Sequence, residues 1–407
     1  MLSGDAIEVS VVLPCLNEAE TVASCISRAW EGLRAADVIG EVIVADNGST
    51  DGSAECARAA GARVVHAPHR GYGAALMAGI DAARGRYVIM GDADGSYDFR
   101  EIPRFVSRLR DGAHLVQGCR FPVGGGAIRS GAMPFLHRWI GNPLFSLLAR
   151  WWFRAPIHDV NCGLRGFIRS HQQHLEQQCT GMEFANEMVI KMSLSGAIIS
   201  EVPVTLSRDG RHSHPPHLRT WRDGWRTLRF YLLCSPRWLF LVPGSTLVGV
   251  GIVLVLAGYS TIRVGAVTFD VNTMLFGTLF IATGMQTALL AVFTKTFAVN
   301  ERLLPTDARL TRVLSSRVLH AVMCLGVGAL LGGGAILSWE VIKWQRAAFG
   351  PLDGAEVVRR VIPGVLLALV GAQAVLSTFF LEVLGLQRRV AGSSRIIASE
   401  GLRRAQP

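Results

Sequence analysis

Four stretches in the C-terminal part of the chain, residues 238–262, 271–294, 318–339 and 361–381, contain no Asp, Glu, Lys or Arg. A helix rises about 1.5 Å per residue, so about 20 apolar residues cross a hydrocarbon layer roughly 30 Å thick. Each stretch meets that length. Burying all four inside a water-soluble fold would need a core too apolar for a chain of 407 residues. Four membrane-spanning helices over residues 237–384 are therefore expected. Gln286 and Gln373 lie within them and His320 near one end, with none of the intramembrane ion pairs that mark a transport pathway. Small residues such as Gly332-Gly333-Gly334 suit close helix packing.

Lys and Arg crowd the segment before the first span, the 295–317 loop and the tail from 385 onward. Arg263 stands nearly alone in the first opposite loop, and 340–360 is mixed. The positive-inside tendency then places both termini, and everything ahead of the spans, on the cytoplasmic face of a cell membrane. The formal charge of +10 points to anionic partners, either phosphates or acidic lipid. No nucleic-acid partner is expected, and a homo-oligomer is left open. The eight cysteines are scattered without zinc spacing and read as reduced thiols.

Ahead of residue 235, apolar runs at 8–14, 41–46, 62–67, 87–90 and 114–119 alternate with helical segments. That alternation argues for an α/β domain whose mostly parallel sheet is covered on both faces. Asn17-Glu18 are expected to open a helix running to Arg34, and Ser49 or Thr50 to cap the next one.

In an open α/β sheet, ligands bind outside the carboxyl ends of the strands. Several strand ends here finish in polar residues: Asn17 and Glu18, then Asp46, then Asp92 and Asp94, then Arg120. Asp92-x-Asp94 offers hard oxygen ligands suited to Mg²⁺ or Mn²⁺ carrying a diphosphate, although Asp also favours an ordinary turn. Asp46 and Glu18 suit hydrogen bonds to a nucleobase and ribose. Gly71-x-Gly73 follows the third strand and lacks the third glycine of a dinucleotide fingerprint, which leaves it as backbone beside bound phosphates.

The ordered set Leu13-Pro14-x-x-Asn17-Glu18, Ala45-Asp46-Asn-Gly-Ser-Thr-Asp51-Gly and Gly91-Asp92-Ala-Asp94-Gly-Ser-Tyr-Asp98 resembles the inverting family 2 glycosyltransferases. Gly118-Cys119-Arg120, Gly141-Asn142-Pro143, Asp159-x-x-Cys162-Gly163-x-Arg165 and Gly181-Met-Glu-Phe-Ala185 look like the branch that includes dolichyl-phosphate mannose synthases and undecaprenyl-phosphate glucosyltransferases. The resemblance covers about residues 8 to 240. It departs from the mannose synthases at Gly95-Ser96, where they usually carry Leu-Gln.

That resemblance implies a Rossmann-like GT-A domain. It also implies inverting, metal-dependent transfer of a hexose from a nucleotide-diphospho-sugar to a polyprenyl phosphate. UDP-glucose is favoured as donor over GDP-mannose. Pro14, Asn17, Glu18, Asp46, Gly71 and Asp92 are expected to hold the donor. Asp94, with Asp92, is expected to hold Mg²⁺ or Mn²⁺. Two anionic phosphates must be brought together, so cations are needed: Arg120 first, since guanidinium grips phosphate bidentately, then Arg129, Arg165 and Arg211. Arg129 and Arg165 are equally readable as ordinary structural arginines. Asp159 is placed near the sugar hydroxyls. Glu183 either serves the site or completes a capping box with Thr180.

Two rival functions are weighed. A processive polysaccharide synthase would carry Gln-x-x-Arg-Trp, and this chain has Ser235-Pro236-Arg237-Trp238 without the Gln. A non-catalytic partner of a lipid-sugar flippase would not need Asp92, Asp94 and Arg120 intact.

The approach to the membrane is basic. Residues 132–153, interrupted by Gly141-Asn142-Pro143, read as two amphipathic segments in the headgroup layer. The loop around Pro215-Pro216 carries Arg208, Arg211, His212, His214, His217 and Arg219, and suits a flap over phosphates better than a zinc site. Trp221, Trp225 and Leu228, with Arg222, Arg226 and Arg229 alongside, describe an interfacial helix for anionic lipid. The organisation expected is a catalytic domain over 1–206, this loop and helix over 207–236, the spans over 237–384, and a basic cytoplasmic tail over 385–407.

Overall fold

The computed structural model describes residues 7–211, 220–301, 303–305 and 307–385. The histidine-rich part of the flap (His212, His214, His217 and Arg219) and the tail beyond 385 lie outside the described residues. The chain divides after Ser235 into two units.

The first unit is built on β1 (Val9–Cys15), which lies parallel between β2 (Gly40–Asp46) and β4 (Tyr87–Met90), with Val12 opposite both Ile43 and Met90. β3 (Arg63–His66) extends the sheet beyond β2. On the other side come β5 (Leu115–Cys119) and further strands, among them β6 (Ala127–Ile128), β7 (Arg165–Ile168), β8 (Ile199–Pro203) and β9 (Thr205–Leu206). The main sheet has seven strands in the order β3-β2-β1-β4-β7-β5-β8, while β6 pairs with β9 apart from it. Strand β7 runs antiparallel to both β4 and β5 and is an element the sequence pattern did not disclose.

Successive strand residues point to opposite faces, and both faces here are covered, so the central strands are largely apolar on both sides, β4 (Tyr-Val-Ile-Met) at every position. Val11, Leu13, Val44 and Ile89 pack with α1 (Val22–Ala35) and α4 (Ile102–Arg110). Val12, Ile43, Val88 and Met90 pack on the other side with α3 (Tyr72–Ala82) and α7 (Phe184–Leu194). Two smaller helices, α2 (Ser53–Ala59) and α6 (Arg169–His174), complete the connections.

Three local expectations are corrected. Helix α1 starts at Val22 rather than at Asn17, because Asn17 sits in the left-handed region with φ 58°. Its amide oxygen accepts from Thr50 N at 2.9 Å and its backbone N donates to Ser49 Oγ at 3.0 Å. Ser49 and Thr50 are therefore spent on bolting two loops together, and Gly52 takes the N-cap position of α2. Glu183 makes no capping bond at the start of α7; it pairs with Arg226 at 2.6 Å.

The stretch around Gly141-Asn142-Pro143 is not a break. A π-helical turn, His137–Gly141, leads directly into α5 (Asn142–Phe153). Proline cannot donate and its ring crowds the preceding turn, and the wider π-turn accommodates both effects. The same device recurs at Arg237–Leu241 ahead of Pro243. Helix α8 (Thr220–Cys234) docks through fully buried Tyr231, whose hydroxyl donates to Asn186 Oδ1 at 2.9 Å. Its Trp221 and Trp225 remain 82% and 64% exposed, as Trp139 and Trp151 do before and within α5, at 61% and 60%.

Among the described residues, the second unit holds four helices long and apolar enough to cross a membrane. A π-turn leads into α9 (Val242–Tyr259); α10 (Val271–Asn300), α12 (Ser316–Arg346) and α13 (Gly354–Gly385) are single helices. Between them lie a small hairpin of β10 (Arg263–Val264) and β11 (Val267–Thr268) and the short α11 (Ala308–Val313). The three later helices outrun the charge-free stretches because Lys295, Arg317, Lys343 and Arg360 continue them as helix.

Helix pairing rests on glycine at seven-residue intervals: Gly244, Gly251 and Gly258 on α9, Gly277 and Gly284 on α10, Gly326 and Gly333 on α12, Gly364 and Gly371 on α13. A side-chain carbon at Gly251 would meet Gly277 O at 2.6 Å, and one at Gly333 would meet Gly364 O at 2.6 Å. A period of 3.5 residues per turn keeps one seam of a gently left-handed pair in contact. Of Gly332-Gly333-Gly334, Gly333 faces its partner and its two neighbours face open space. Gly333→Leu is therefore expected to destabilise the detergent-solubilised protein by about 1–3 kcal/mol through overpacking. Gly332→Leu should leave its thermal midpoint unchanged, and equal midpoints for the two variants would refute the seam.

Candidate active site

The carboxyl ends of β1, β2 and β4 share one rim, and the polar residues that follow them meet there. The chain leaving β4 turns through Asp94: Ser96 N donates to Asp94 Oδ1 at 2.9 Å. The second oxygen, Oδ2, accepts from Arg211 Nη2 at 3.1 Å, and the same guanidinium donates through Nη1 to Glu18 Oε1 at 2.9 Å. One oxygen of Asp94 thus serves the turn, and the other converges with Glu18 on a cation. Thr21 Oγ1 donates to Ala93 O at 2.7 Å and fixes the two loops at this separation.

Asp92 lies deeper. Tyr72, the first residue of α3, donates its hydroxyl to Asp92 Oδ1 at 2.9 Å. A side chain at Gly163 would meet Asp92 Oδ2 at 2.5 Å, so that position has to be glycine. Burial, reinforced by the neighbouring Asp94, pushes the Asp92 carboxyl up to about 6. Tyr72 is a site residue that sequence reasoning missed. The available signal was its place between two glycines at the mouth of a helix.

Asp46 is buried at the end of β2. It accepts from Ser49 N at 3.1 Å and faces His66 Nδ1 at 3.0 Å. Burial works against its charge, yet the bonds from Ser49, His66 and Gly48 hold its carboxyl below the usual range. Asn47 Oδ1 accepts from Gly71 N at 2.8 Å. Gly71 has φ 138°, and a side chain there would meet Thr180 O at 2.3 Å, so close backbone approach requires glycine. Pro14 lies opposite Ala45 on β1, one residue before the strand's end.

The arginines divide. Arg120 is buried, and its fork is taken by Asp159 through Nε at 2.6 Å and Nη2 at 2.7 Å, with Nη1 reaching Tyr97 Oη at 3.4 Å. Tyr97 in turn accepts from Gly163 N at 2.8 Å. Arg120 is thus not placed to grip a phosphate bidentately, and Asp159, with no exposed surface, is not placed against a sugar. Arg165 is fully buried and donates to the carbonyls of Cys162, Val160 and Ala185, so it organises the loop after α5 rather than binding an acceptor. Arg129 is exposed, with its backbone N bonded to Leu206 O at 2.9 Å. Arg211 joins the carboxylates of Glu18 and Asp94 and also Asp209 Oδ2, at 3.2 Å.

Among the described residues no group of three His, Cys, Asp or Glu side chains forms a ready-made metal cage. Asp94, Glu18 and Asp209 share the guanidinium of Arg211 here, while Asp92, expected to hold a metal together with Asp94, is engaged by Tyr72 through Oδ1. Carboxylates such as these fit Mg²⁺ or Mn²⁺, which keeps waters and takes further oxygens from substrate phosphates.

A buried ion pair is costly to break from one side, because the survivor is left charged and unsatisfied. Asp159→Asn and Arg120→Gln are each expected to cost about 3–5 kcal/mol of stability in thermal or denaturant unfolding. The double substitution Arg120→Met, Asp159→Leu should recover part of that loss, and a fully additive loss would contradict the pairing.

The profile "Glycosyl transferase family 2" matches residues 10–175, and "Glycosyltransferase family 2 C-terminal transmembrane region" matches residues 292–385. A low-salt glycan biosynthesis hexosyltransferase, Agl6 of Haloferax volcanii, is 33% identical over 393 residues, spanning 95% of this chain and 92% of that protein. A dolichyl-phosphate hexose transferase of the same organism is 32% identical over 198 residues, covering 48% of this chain and 82% of its own. Among solved structures, glucosyl-3-phosphoglycerate synthase from Mycobacterium tuberculosis, crystallised with Mn²⁺, uridine diphosphate and glucosyl-3-phosphoglycerate, is 23% identical, with a TM-score of 0.46 over 56% of this chain and 80% of that one. With a relative matched along nearly its whole length and both family profiles in order, the chain belongs to glycosyltransferase family 2, as a multi-pass membrane glycosyltransferase with a mostly parallel, Rossmann-like GT-A domain ahead of its four apolar helices.

Proposed function

We propose that this glycosyltransferase moves a hexose from a nucleotide-diphospho-sugar to a polyprenyl phosphate at the cytoplasmic face of the cell membrane, with inversion at the anomeric carbon. The observation that carries the reading is the convergence of Asp94 and Glu18 on one cationic position at the sheet's carboxyl rim. The choice of hexose and lipid phosphate is supported by the names of the two archaeal relatives. UDP-glucose is placed ahead of GDP-mannose because the chain carries Gly95-Ser96 where the mannose synthases usually carry Leu-Gln. The membrane face is supported by the Lys and Arg distribution, and an anionic lipid surface by the exposed tryptophans beside arginines on α5 and α8.

In the transfer, an oxygen of the acceptor phosphate attacks the anomeric carbon. The bond from that carbon to the donor's β-phosphate oxygen breaks, and the departing nucleoside diphosphate takes the electron pair. The acceptor phosphate is already ionised at neutral pH, so no strong general base is required. A divalent cation held by Asp94 and Glu18 would supply neutralisation of the charge that grows on the leaving diphosphate. Asp46 and Asn17, locked in the paired loops, present the end of β2 to the nucleoside. Asp92, fixed by Tyr72, shapes the floor beneath the sugar diphosphate. Arg211 and Arg129 are the guanidinium groups left to meet the acceptor phosphate, while Arg120 and Arg165 keep the rim in shape.

The test is transfer of labelled sugar to polyprenyl phosphate by the purified full-length protein with Mg²⁺ or Mn²⁺. Chelation with EDTA should abolish product, and restored metal should return it. Asp94→Asn should lower kcat/KM about a hundredfold or more, since it removes several kcal/mol of transition-state stabilisation and each factor of ten is about 1.4 kcal/mol. Equal product from wild type and Asp94→Asn would defeat the metal assignment, and product formed equally well without polyprenyl phosphate would defeat the acceptor.

A further inference from the structure

The two carboxylates assigned to the donor's cation already hold one. Arg211 stands at the end of a flap whose backbone is zipped to the Asp92–Asp94 turn: Ser207 N donates to Ser96 O at 2.9 Å and Gly210 N to Asp94 O at 2.8 Å. From there its side chain, 10% exposed, bridges Glu18 Oε1 and Asp94 Oδ2, with Asp209 Oδ2 as third acceptor. Its Nε is buried without a hydrogen-bond partner, so the guanidinium is incompletely satisfied in this seat.

The electrostatics favour an exchange. Glu18, Asp92, Asp94 and Asp209 gather in one place, and Arg211 is the guanidinium directly bonded to three of them. Arg120 is taken up by Asp159, and Arg165 by main-chain carbonyls. Among the described residues Arg211 brings one positive charge to these carboxylates, whereas a divalent ion bonded to the same two oxygens would bring two. Arg211 also meets three separate carboxylates by one bond each. It therefore lacks the fork-to-fork geometry that makes an arginine–carboxylate pair strong.

We infer that Arg211 is the resting counter-ion of the metal site. It occupies Asp94 and Glu18 while no donor is bound, and yields them to the donor's divalent cation. Its guanidinium, once displaced, is the cation that takes the acceptor phosphate. Binding is consequently ordered, with donor and metal first and lipid phosphate second. The inference rests on the assignment of the metal to Asp94 made above, and the experiment separates the two.

Mn²⁺ is titrated into the detergent-solubilised full-length protein without donor or lipid, and free Mn²⁺ is followed by electron paramagnetic resonance. Arg211→Ala should tighten Mn²⁺ binding about tenfold, the scale of losing competing charge-assisted hydrogen bonds. Arg208→Ala removes the same charge from the same flap, but that guanidinium donates to Ser130 O at 3.1 Å and is not bonded to the carboxylates. Its affinity should stay at the wild-type value. Asp94→Ala should lose the site. If Arg211→Ala and wild type bind alike while Asp94→Ala does not bind, the counter-ion role is overturned and the metal assignment stands. If Asp94→Ala binds like wild type, the metal assignment itself falls. Should Arg211→Ala not purify as folded protein, Arg211→Gln repeats the test. As a second readout, a short-chain polyprenyl phosphate should bind wild type at least tenfold more tightly in the presence of Mn²⁺ and UDP, a gain absent from Arg211→Ala. Equal binding by wild type with and without Mn²⁺ and UDP would overturn the ordered hand-over.

Discussion

Two carboxylates aimed at one point have to be held there against their mutual repulsion, and that constraint runs through the whole first unit. Glu18 follows β1 and Asp94 follows β4, neighbours in the sheet, so the rim brings them close before any side chain is placed. The loops are then fastened to each other. Asn17 reaches into the β2 turn, Thr21 holds Ala93, and one oxygen of Asp94 is committed to its own turn. What remains for chemistry is a pair of carboxylate oxygens at a defined separation.

Around that pair the protein spends several charged groups on shape. Asp159 and Arg120 neutralise each other inside the fold and hand order to Tyr97 and Gly163. Arg165 ties two segments together by donating to the carbonyls of Val160 and Cys162 and to that of Ala185. Glu187 and Lys191, buried on successive turns of α7, tie down the backbone of residues 175–179 beside Gly71. Removing water from such groups is unfavourable unless every donor finds an acceptor, and here the acceptors are largely main-chain carbonyls.

This explains which parts of the molecule were legible from the residues alone. The five parallel-type strands and the four spans announce themselves through apolar runs, because burial on both faces and immersion in hydrocarbon each demand them. That Glu18, Asp46 and Asp94 would meet at one rim was legible, because each follows a strand of the same sheet; that Glu18 rather than Asp92 would share a cation with Asp94 was not. Nor were the roles of Arg120 and Arg165, because a buried structural arginine and a phosphate-binding arginine look identical in sequence. The difference lies in Asp159 and in the carbonyls of Val160, Cys162 and Ala185, which only the folded loop turns toward Arg165. Strand β7 was hidden for a related reason: its Arg165-Gly166-Phe167-Ile168 carries one charge and one glycine, and pairing with β4 and β5 rather than local propensity makes it a strand. Asn17 was expected to begin a helix and instead takes a left-handed turn, since its side chain is needed by a loop more than thirty residues away.

The glycine seams of the second unit carry a mechanical consequence. Where backbone touches backbone, the distance between two helices is set by main-chain atoms and barely by which side chains surround them. Each hairpin therefore behaves as a stiff double rod. Such a rod meets a thicker or thinner bilayer by leaning as one body rather than by its helices sliding past each other. The outward-facing residues, relieved of any part in holding the pair together, are free to drift in sequence so long as they stay oily.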